Sequence, residues 1–143
     1  MRPLALLMCA IALAADSPFV GTWTMDKAKS SFGAEGPKID TFTLQYMHDG
    51  ATLTAIMTVN GTAEPAIAVN GKEHVITGRN RMGATHATPT LKGRLIETIF
   101  KKDGKTVGRR TFALSADGKV LTTVTDATTP DGQKIEWTVV FDK

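Results

Sequence analysis

Six Asn-Gly or Asp-Gly dipeptides divide the chain into short segments, and their spacing constrains the fold more than any other feature. Asn or Asp followed by Gly tolerates the positive φ angles of tight hairpin turns. Successive turn glycines are 11 and 10 residues apart in the first half of the chain, and 14 and 14 apart in the second. Each interval has room for one strand of about 7–10 residues, which predicts a meander of antiparallel strands. The dipeptides begin at Asp49, Asn60, Asn70, Asp103, Asp117 and Asp131.

Alternation of apolar and polar residues within these intervals predicts strands with one apolar face. Threonine, 21 of 143 residues, suits pleated strands because its branched side chain is stiff at χ1. Residues 79–90 have no such pattern and are expected to be irregular. Asp26 is the one residue placed to cap a short helical turn, which would extend to Phe32. The predicted strands are 42–46, 53–59, 65–69, 73–77, 94–101, 110–114, 119–125 and 135–141.

About nine or ten strands in one small domain must avoid leaving long unpaired edges. An up-and-down barrel removes the edges by closing the sheet. We therefore predict an all-β fold, an antiparallel barrel of about 8–10 strands. A two-sheet β-sandwich is the alternative, although it usually needs longer Greek-key connections than this chain offers.

Residues 1–15 have the pattern of a secretory signal peptide. A positive charge at Arg2 precedes an apolar run that ends in small alanines, as signal peptidase requires. The run is too short to span a membrane. We expect cleavage near Ala14 or Ala15, a single mature domain over residues 16–143, and a secreted or periplasmic location.

Charge and motif content argue against nucleic-acid binding, metal binding and catalysis. The 16 basic and 14 acidic side chains after the signal segment form no basic stripe. Cys9 is the only cysteine and would leave with the signal peptide, so no disulfide framework or thiolate zinc site is expected. The three histidines lack short metal-binding spacing, and no serine lies in a nucleophile-elbow pattern. We expect no cofactor; His86 is the best candidate ligand if the barrel held haem.

The motif Gly21-Thr22-Trp23 opens the first expected strand. Glycine permits close approach of another chain segment, and tryptophan covers a large apolar area. A Gly-x-Trp in this position resembles the start of lipocalins and fatty-acid-binding proteins. In those families the tryptophan closes one end of the barrel, and a basic side chain from a late strand often packs over it. The resemblance implies that Gly21 and Trp23 plug the barrel here.

A longer pattern resembles a group of small secreted bacterial proteins with a lipocalin-like (calycin) barrel. It includes the Ala-Lys-Ser sequence at 28–30, the segment 71–78, and the Asp-Gly-Lys turns at 103–105 and 117–119. The likeness covers most of residues 19–143. It implies the barrel and brings no established activity with it.

Two departures separate the chain from fatty-acid-binding proteins. Where that family inserts a helical hairpin as a lid, residues 33–38 form a loop rich in glycine and proline. The chain also lacks a recognisable Arg-x-Tyr carboxylate clamp near its end. The resemblance therefore does not carry fatty-acid binding with it.

Side chains on the predicted inner faces are candidates to line an internal binding site. Aromatic residues make up only 6% of the chain, so the interior is expected to keep some space. Arg110 shares a face with two apolar residues and is expected either to pack over Trp23 or to meet an anionic ligand. Glu97 is expected to form an ordinary cross-strand pair with Arg109 or Arg110. The candidate binding residues are Phe42, Tyr46, Met57, Arg110, Phe112 and Trp137.

These features favour a secreted, monomeric barrel that holds a small apolar or amphipathic molecule in its interior. The alternative is a protein-binding or inhibitory module that acts through exterior loops or strand edges. An enzyme or a haem-binding barrel is the third possibility. No nucleic-acid partner and no membrane span are expected.

Overall fold

The computed structural model describes residues 17–34, 36–77 and 80–143. The expected signal peptide lies outside these residues. The described part of the chain contains no helix that could cross a membrane. Its regular elements are strands: β1 (Gly21–Ser31), β2 (Phe42–Asp49), β3 (Thr52–Val59), β4 (Thr62–Ala63), β5 (Ile67–Val69), β6 (His74–Val75), β7 (His86–Lys92), β8 (Leu95–Lys102), β9 (Lys105–Leu114), β10 (Val120–Thr128) and β11 (Lys134–Asp142).

The strands form one antiparallel sheet in nearly the order of the chain. β1 to β3 and β7 to β11 are successive hairpins, and β11 returns to pair with β1. β4 and β5 both pair with β3 and behave as two parts of one interrupted strand. β6 pairs with β7 at the far end of the sheet, and no ladder joins β5 to β6. The predicted all-β up-and-down barrel is confirmed, with an open seam between β5 and the β6–β7 pair.

Asn60 shows how the predicted turns shape the sheet. Asn60 and Asp103 adopt positive φ angles of 48° and 51°, and each is followed by a glycine that also has positive φ. The Asn60 side chain also accepts hydrogen bonds from the backbone N–H groups of Asp40 and Thr41, at 2.8 and 3.1 Å. Its Nδ2 donates to the carbonyl of Lys38 at 3.2 Å. The turn residue therefore also holds the long connection between β1 and β2.

The buried side chains form two clusters, one at each end of the barrel. The first cluster surrounds Trp23 and includes the inner residues of β2 and the ends of β10 and β11 nearest to it. The second cluster surrounds Met82 and includes Phe100, Ala127 and Ile135. Ile67 of β5 packs against both clusters. The inner faces predicted from period-two alternation are those that point into this interior.

The single helical turn expected after Asp26 is wrong. The segment continues β1, and its pairing with β11 becomes irregular between Asp26 and Ser31. The Asp26 carboxylate does accept the backbone N–H of Lys29 at 3.3 Å, which is the bond a helix cap would make. Here that bond supports a bulged strand.

The prediction that residues 79–90 are irregular is wrong from His86 onward, because β7 begins there. Pro89 lies within β7 although proline has no N–H to donate to a ladder. Its carbonyl accepts the N–H of Gly71 at 2.7 Å across the seam. Since the N–H and C=O positions of one strand residue point the same way, the missing N–H also points to the seam, away from the ladder with β8.

Trp23 lies at the centre of the first core cluster. Its side chain is fully buried, and its indole Nε1 donates to the carbonyl of Phe19 at 2.8 Å. Lys143 lies over the ring, with Nζ 5.4 Å from the ring centroid, and donates to the carbonyl of Pro18 at 3.3 Å. A Cβ at Gly21 would lie 2.9 Å from Cε of Lys143. The basic residue over the tryptophan is thus Lys143, and Arg110 lies elsewhere in the interior.

Replacing Trp23 by alanine is expected to lower the free energy of unfolding by about 3–5 kcal/mol, because it leaves a large cavity in a fully buried cluster. Lys143→Met keeps an unbranched side chain of similar length and removes the charge. It should lower the free energy of unfolding by no more than about 1 kcal/mol. Urea denaturation measures both. A loss below about 1 kcal/mol for Trp23→Ala would contradict the central place of this residue in the cluster.

Candidate functional site

A cavity of about 310 Å³ lies between the two core clusters. Its volume is at the lower end of the range usual for small-molecule sites, which is about 300–1,000 Å³. Most of its wall is apolar and comes from the inner faces of the strands on both sides of the seam. The strand residues that line it include Leu44, Tyr46, Ala55, Met57, Val69, Ala87, Ile96, Thr98, Phe100, Arg110 and Phe112.

The cavity reaches the surface along the seam. Exposed lining residues come from both of its sides: Glu64, Pro65 and Ala66 between β4 and β5, and Val75 on β6. Val75 is 71% exposed, which is unusual for a valine in a strand. Because no backbone ladder closes the sheet here, we place the mouth of the cavity at this point.

A loop closes the end of the barrel opposite Trp23. Asn80 exchanges two hydrogen bonds with the backbone of Ala84, both at 2.8 Å, and these hold the loop in a tight turn. The turn points Met82 into the barrel, where it is 4% exposed. There is room for the thioether because β9 carries Gly108, where an added Cβ would lie 3.1 Å from the Met82 sulfur and 2.6 Å from Cβ of Ala127. The Met82 side chain thus occupies space that a larger residue at position 108 would take up.

Arg110 brings a positive charge into the interior. Its Nε donates to Oγ1 of Thr125 at 2.8 Å, and its guanidinium carbon lies 5.2 Å from the centroid of the Phe100 ring. Burial lowers the pKa of Arg110 to about 10, and the neighbouring Tyr46 opposes this shift. The guanidinium therefore stays charged at neutral pH. Among the described residues, no carboxylate lies within ion-pair distance of it.

Tyr46 is a second polar group in the wall of the cavity that Arg110 lines. Its ring is 2% exposed and contacts the rings of Phe19 and Phe112, with centroid distances of 5.7 and 6.4 Å. Burial raises the pKa of Tyr46, while the charge of Arg110 works in the opposite direction. The phenol therefore remains protonated at neutral pH and can donate a hydrogen bond into the cavity.

A second pocket of about 40 Å³ adjoins the main cavity. The two spaces share three wall residues, Met57, Arg110 and Phe112, so Arg110 stands at their boundary. The rest of the small pocket is largely aromatic, with two interior threonines, Thr123 and Thr125, on β10. Arg110 can therefore be reached from either space.

The structure separates the six candidate binding residues into two groups. Tyr46, Met57, Arg110 and Phe112 line the main cavity, and the last three of these also border the small pocket. Phe42 and Trp137 line the small pocket alone. In the small pocket these two rings pack edge-on against Phe141 and Phe32, at centroid distances of 5.1 and 5.7 Å.

Several lining residues were missed by the sequence analysis. Thr98 and Phe100 lie on the inner face of β8. Both faces of that segment carry apolar residues, so alternation does not distinguish them, and Glu97 on the opposite face is the one signal that could have done so. His74 also lines the cavity, and its Nε2 lies 2.9 Å from Oδ1 of Asn70. Asn80 and Met82 come from a loop whose inward fold no local pattern indicates.

His86, the candidate ligand for haem iron, does not line the cavity. Its Nδ1 lies 2.8 Å from Oγ1 of Thr85, and its Nε2 lies 4.0 Å from the Glu73 carboxylate. The described ranges contain no group of three His, Cys, Asp or Glu side chains that could hold a metal ion.

Glu97 forms the ordinary cross-strand pair that was expected. Its carboxylate accepts a hydrogen bond from Lys92 at 3.0 Å and lies 3.8 Å from Nε of Arg109. The bond from Lys92 and the charges of both basic residues lower the pKa of Glu97. The partner is Arg109, on the outer face of β9, so Glu97 leaves the charge of Arg110 uncompensated.

Comparison with known proteins supports the fold. No family model and no curated protein sequence matches the chain. Solved structures do match it. A crystal structure of zebrafish ileal bile acid-binding protein complexed with cholic acid has a TM-score of 0.60 and 13% identity, over 89% of this chain and 99% of that chain. A structure described as the REP1-NXSQ fatty acid transporter has a TM-score of 0.59 and 12% identity, over 87% of this chain and 94% of that chain.

This chain has the same barrel fold as these two structures. The likeness to both structures extends over nearly their whole length, so it includes the complete barrel. At 12 and 13% identity it concerns the fold alone. What the cavity binds must therefore be argued from its own side chains.

Gly108→Ala is expected to lower the free energy of unfolding by about 1–3 kcal/mol, as overpacking in a core usually does. The new methyl group would meet Cβ of Ala127 and press on Met82. Adding Ala127→Gly removes the nearest obstructing atom and should recover part of the loss. Urea denaturation of both single variants and the double variant measures this. A neutral Gly108→Ala variant would contradict the tight closure at this end.

Proposed function

We propose that the protein binds a small apolar or amphipathic molecule with an acidic head group in its internal cavity. One observation carries the proposal, namely that the interior holds a charged arginine without a described anionic partner. A buried charge is costly unless an opposite charge or several hydrogen bonds compensate it. A ligand anion would supply that compensation, while the apolar wall would take the rest of the ligand.

Arg110 and Tyr46 form the candidate contact for the head group. One lies on β9 and the other on β2, and both line the same cavity. Both can donate to an anion, the guanidinium through its Nη atoms and the phenol through its hydroxyl. The Arg-x-Tyr clamp that the sequence lacks on one strand would thus be assembled from two strands that are distant in the chain.

The structural neighbours agree with this chemistry. One is described as a bile acid-binding protein with cholic acid and the other as a fatty acid transporter. Both descriptions concern amphipathic acids. Together with a cavity of about 310 Å³, they support an acid of similar character as the ligand here and favour a carrier over an enzyme.

Arg110→Met tests the role of the charge. Its affinity for dodecanoate, measured by isothermal titration calorimetry, should fall about 10- to 100-fold, because a hydrogen bond to a charged group contributes about 1.5–3 kcal/mol. Affinity for dodecanol should stay the same or rise. Without ligand, the free energy of unfolding should change by no more than about 1 kcal/mol, because the lost hydrogen bond to Thr125 and the lost contact with Phe100 offset the removal of a partly buried charge.

Two results would contradict the proposal. If the unmodified protein binds neither dodecanoate nor dodecanol, the cavity is not a binding site for such molecules. If Arg110→Met lowers the affinities for dodecanoate and dodecanol equally, the arginine supports the cavity wall and does not contact a head group.

We also propose that the chain is exported and acts as a monomer outside the cytoplasm. The signal-peptide pattern of residues 1–15 supports export. Expressed in full in a bacterial host, the exported protein should have the intact mass of a monomer that starts at Ala15 or Asp16. Leu7→Arg, which places a charge in the apolar run, should retain the uncut chain of 15.3 kDa inside the cell. An uncut chain in the unmodified case would overturn the proposal.

A further inference from the structure

Thr123 presents a polar group that the described part of the chain leaves without a partner. It lies on the inner face of β10 and is 5% exposed. Its Oγ1 is buried, and no described group is within hydrogen-bonding distance. Buried hydroxyl groups normally have a partner, so an orphan of this kind calls for a ligand group or a water molecule.

The space beside Thr123 is small and defined. The pocket of about 40 Å³ is bounded by Thr123, Thr125 and Arg110 together with aromatic and aliphatic side chains. At about 10–15 Å³ for each water-sized group, it has room for about three such groups. It therefore suits a short substituent of a ligand and excludes the main body of one.

The position of Arg110 links this pocket to the proposed head-group site. Thr123 and Thr125 are two residues apart on one strand, which separates their Cα atoms by about 6.5 Å. The guanidinium is fixed on Thr125 through Nε at 2.8 Å. If the other guanidinium nitrogens bind the carboxylate of a ligand, a hydroxyl group one or two carbon atoms away from that carboxylate could therefore reach Thr123.

We propose that the small pocket is a subsite for a hydroxyl group close to the acid of the ligand, so that the preferred ligand is a 2- or 3-hydroxy carboxylic acid. The inference rests on the proposed function. Arg110 and Tyr46 hold the carboxylate, the ligand hydroxyl bonds to Oγ1 of Thr123, and the apolar tail fills the main cavity. A hydroxyl is favoured over an apolar branch because it alone would give Thr123 its missing partner.

The test compares dodecanoate with the two enantiomers of 3-hydroxydodecanoate by isothermal titration calorimetry. The subsite is chiral, so one enantiomer should bind more tightly than the other. Thr123→Val keeps the shape of the side chain and removes the hydroxyl. This variant should lower the affinity for the preferred enantiomer about 3- to 10-fold and leave the affinity for dodecanoate unchanged within about 2-fold.

Two further variants act as controls. Thr123→Ser keeps the hydroxyl and should retain the preference for one enantiomer, even if Thr123→Val folds poorly. Thr122→Val makes the same chemical change at the next position, on the outer face of β10, and should alter neither affinity.

Three outcomes would overturn the inference. Equal binding of the two enantiomers, unaffected by Thr123→Val, would mean that the pocket holds water alone. If Thr123→Val lowers the affinities for dodecanoate and for the hydroxy acid equally, Thr123 only supports the wall of the pocket. If the unmodified protein binds none of the three acids, the proposed function fails and the subsite fails with it.

Discussion

The burial of Trp23 determines where the interior space of this barrel lies. The indole fills one end of the sheet, with Phe19 beneath it and Lys143 over its face. Inner side chains further along the strands line the cavity. Met82 fills the opposite end in the same way, although it comes from a loop. The cavity lies between the cluster around Trp23, which is a strand residue, and the cluster around Met82, which is a loop residue.

The second constraint is the seam. A complete ladder would close the side wall of the barrel at this point. Here the described residues form one backbone hydrogen bond between the β5 side and β7, from Gly71 to Pro89. The opening lies in the side wall, and the charge of Arg110 lies inside it. The Arg110 guanidinium donates to a threonine hydroxyl and lies over an aromatic ring, and both interactions stabilise its charge. The wall of the site is mainly apolar, with Arg110 and Tyr46 among its polar groups.

The sequence predicted the strands and their inner faces because both depend on local rules. Turn dipeptides mark where strands end, and period-two alternation placed Arg110 and Phe112 inside. The features that the sequence did not predict depend on distant contacts. The strand β7 was missed, and it accommodates Pro89 because that residue faces a seam that no local pattern reveals. Met82 enters the barrel because Gly108, on another strand, leaves room, and Lys143 covers Trp23 from the far end of the chain.

The position of β6 has a kinetic consequence. This strand joins the sheet through only two residue pairs, at the edge where the cavity opens. Short edge segments of this kind separate from their neighbours far more often than the whole domain unfolds. For a molecule held in the cavity, the residence time then depends on how frequently β6 frays. Binding strength and exchange rate would be controlled by different parts of the molecule, the first by Arg110 and its surroundings, the second by one short strand.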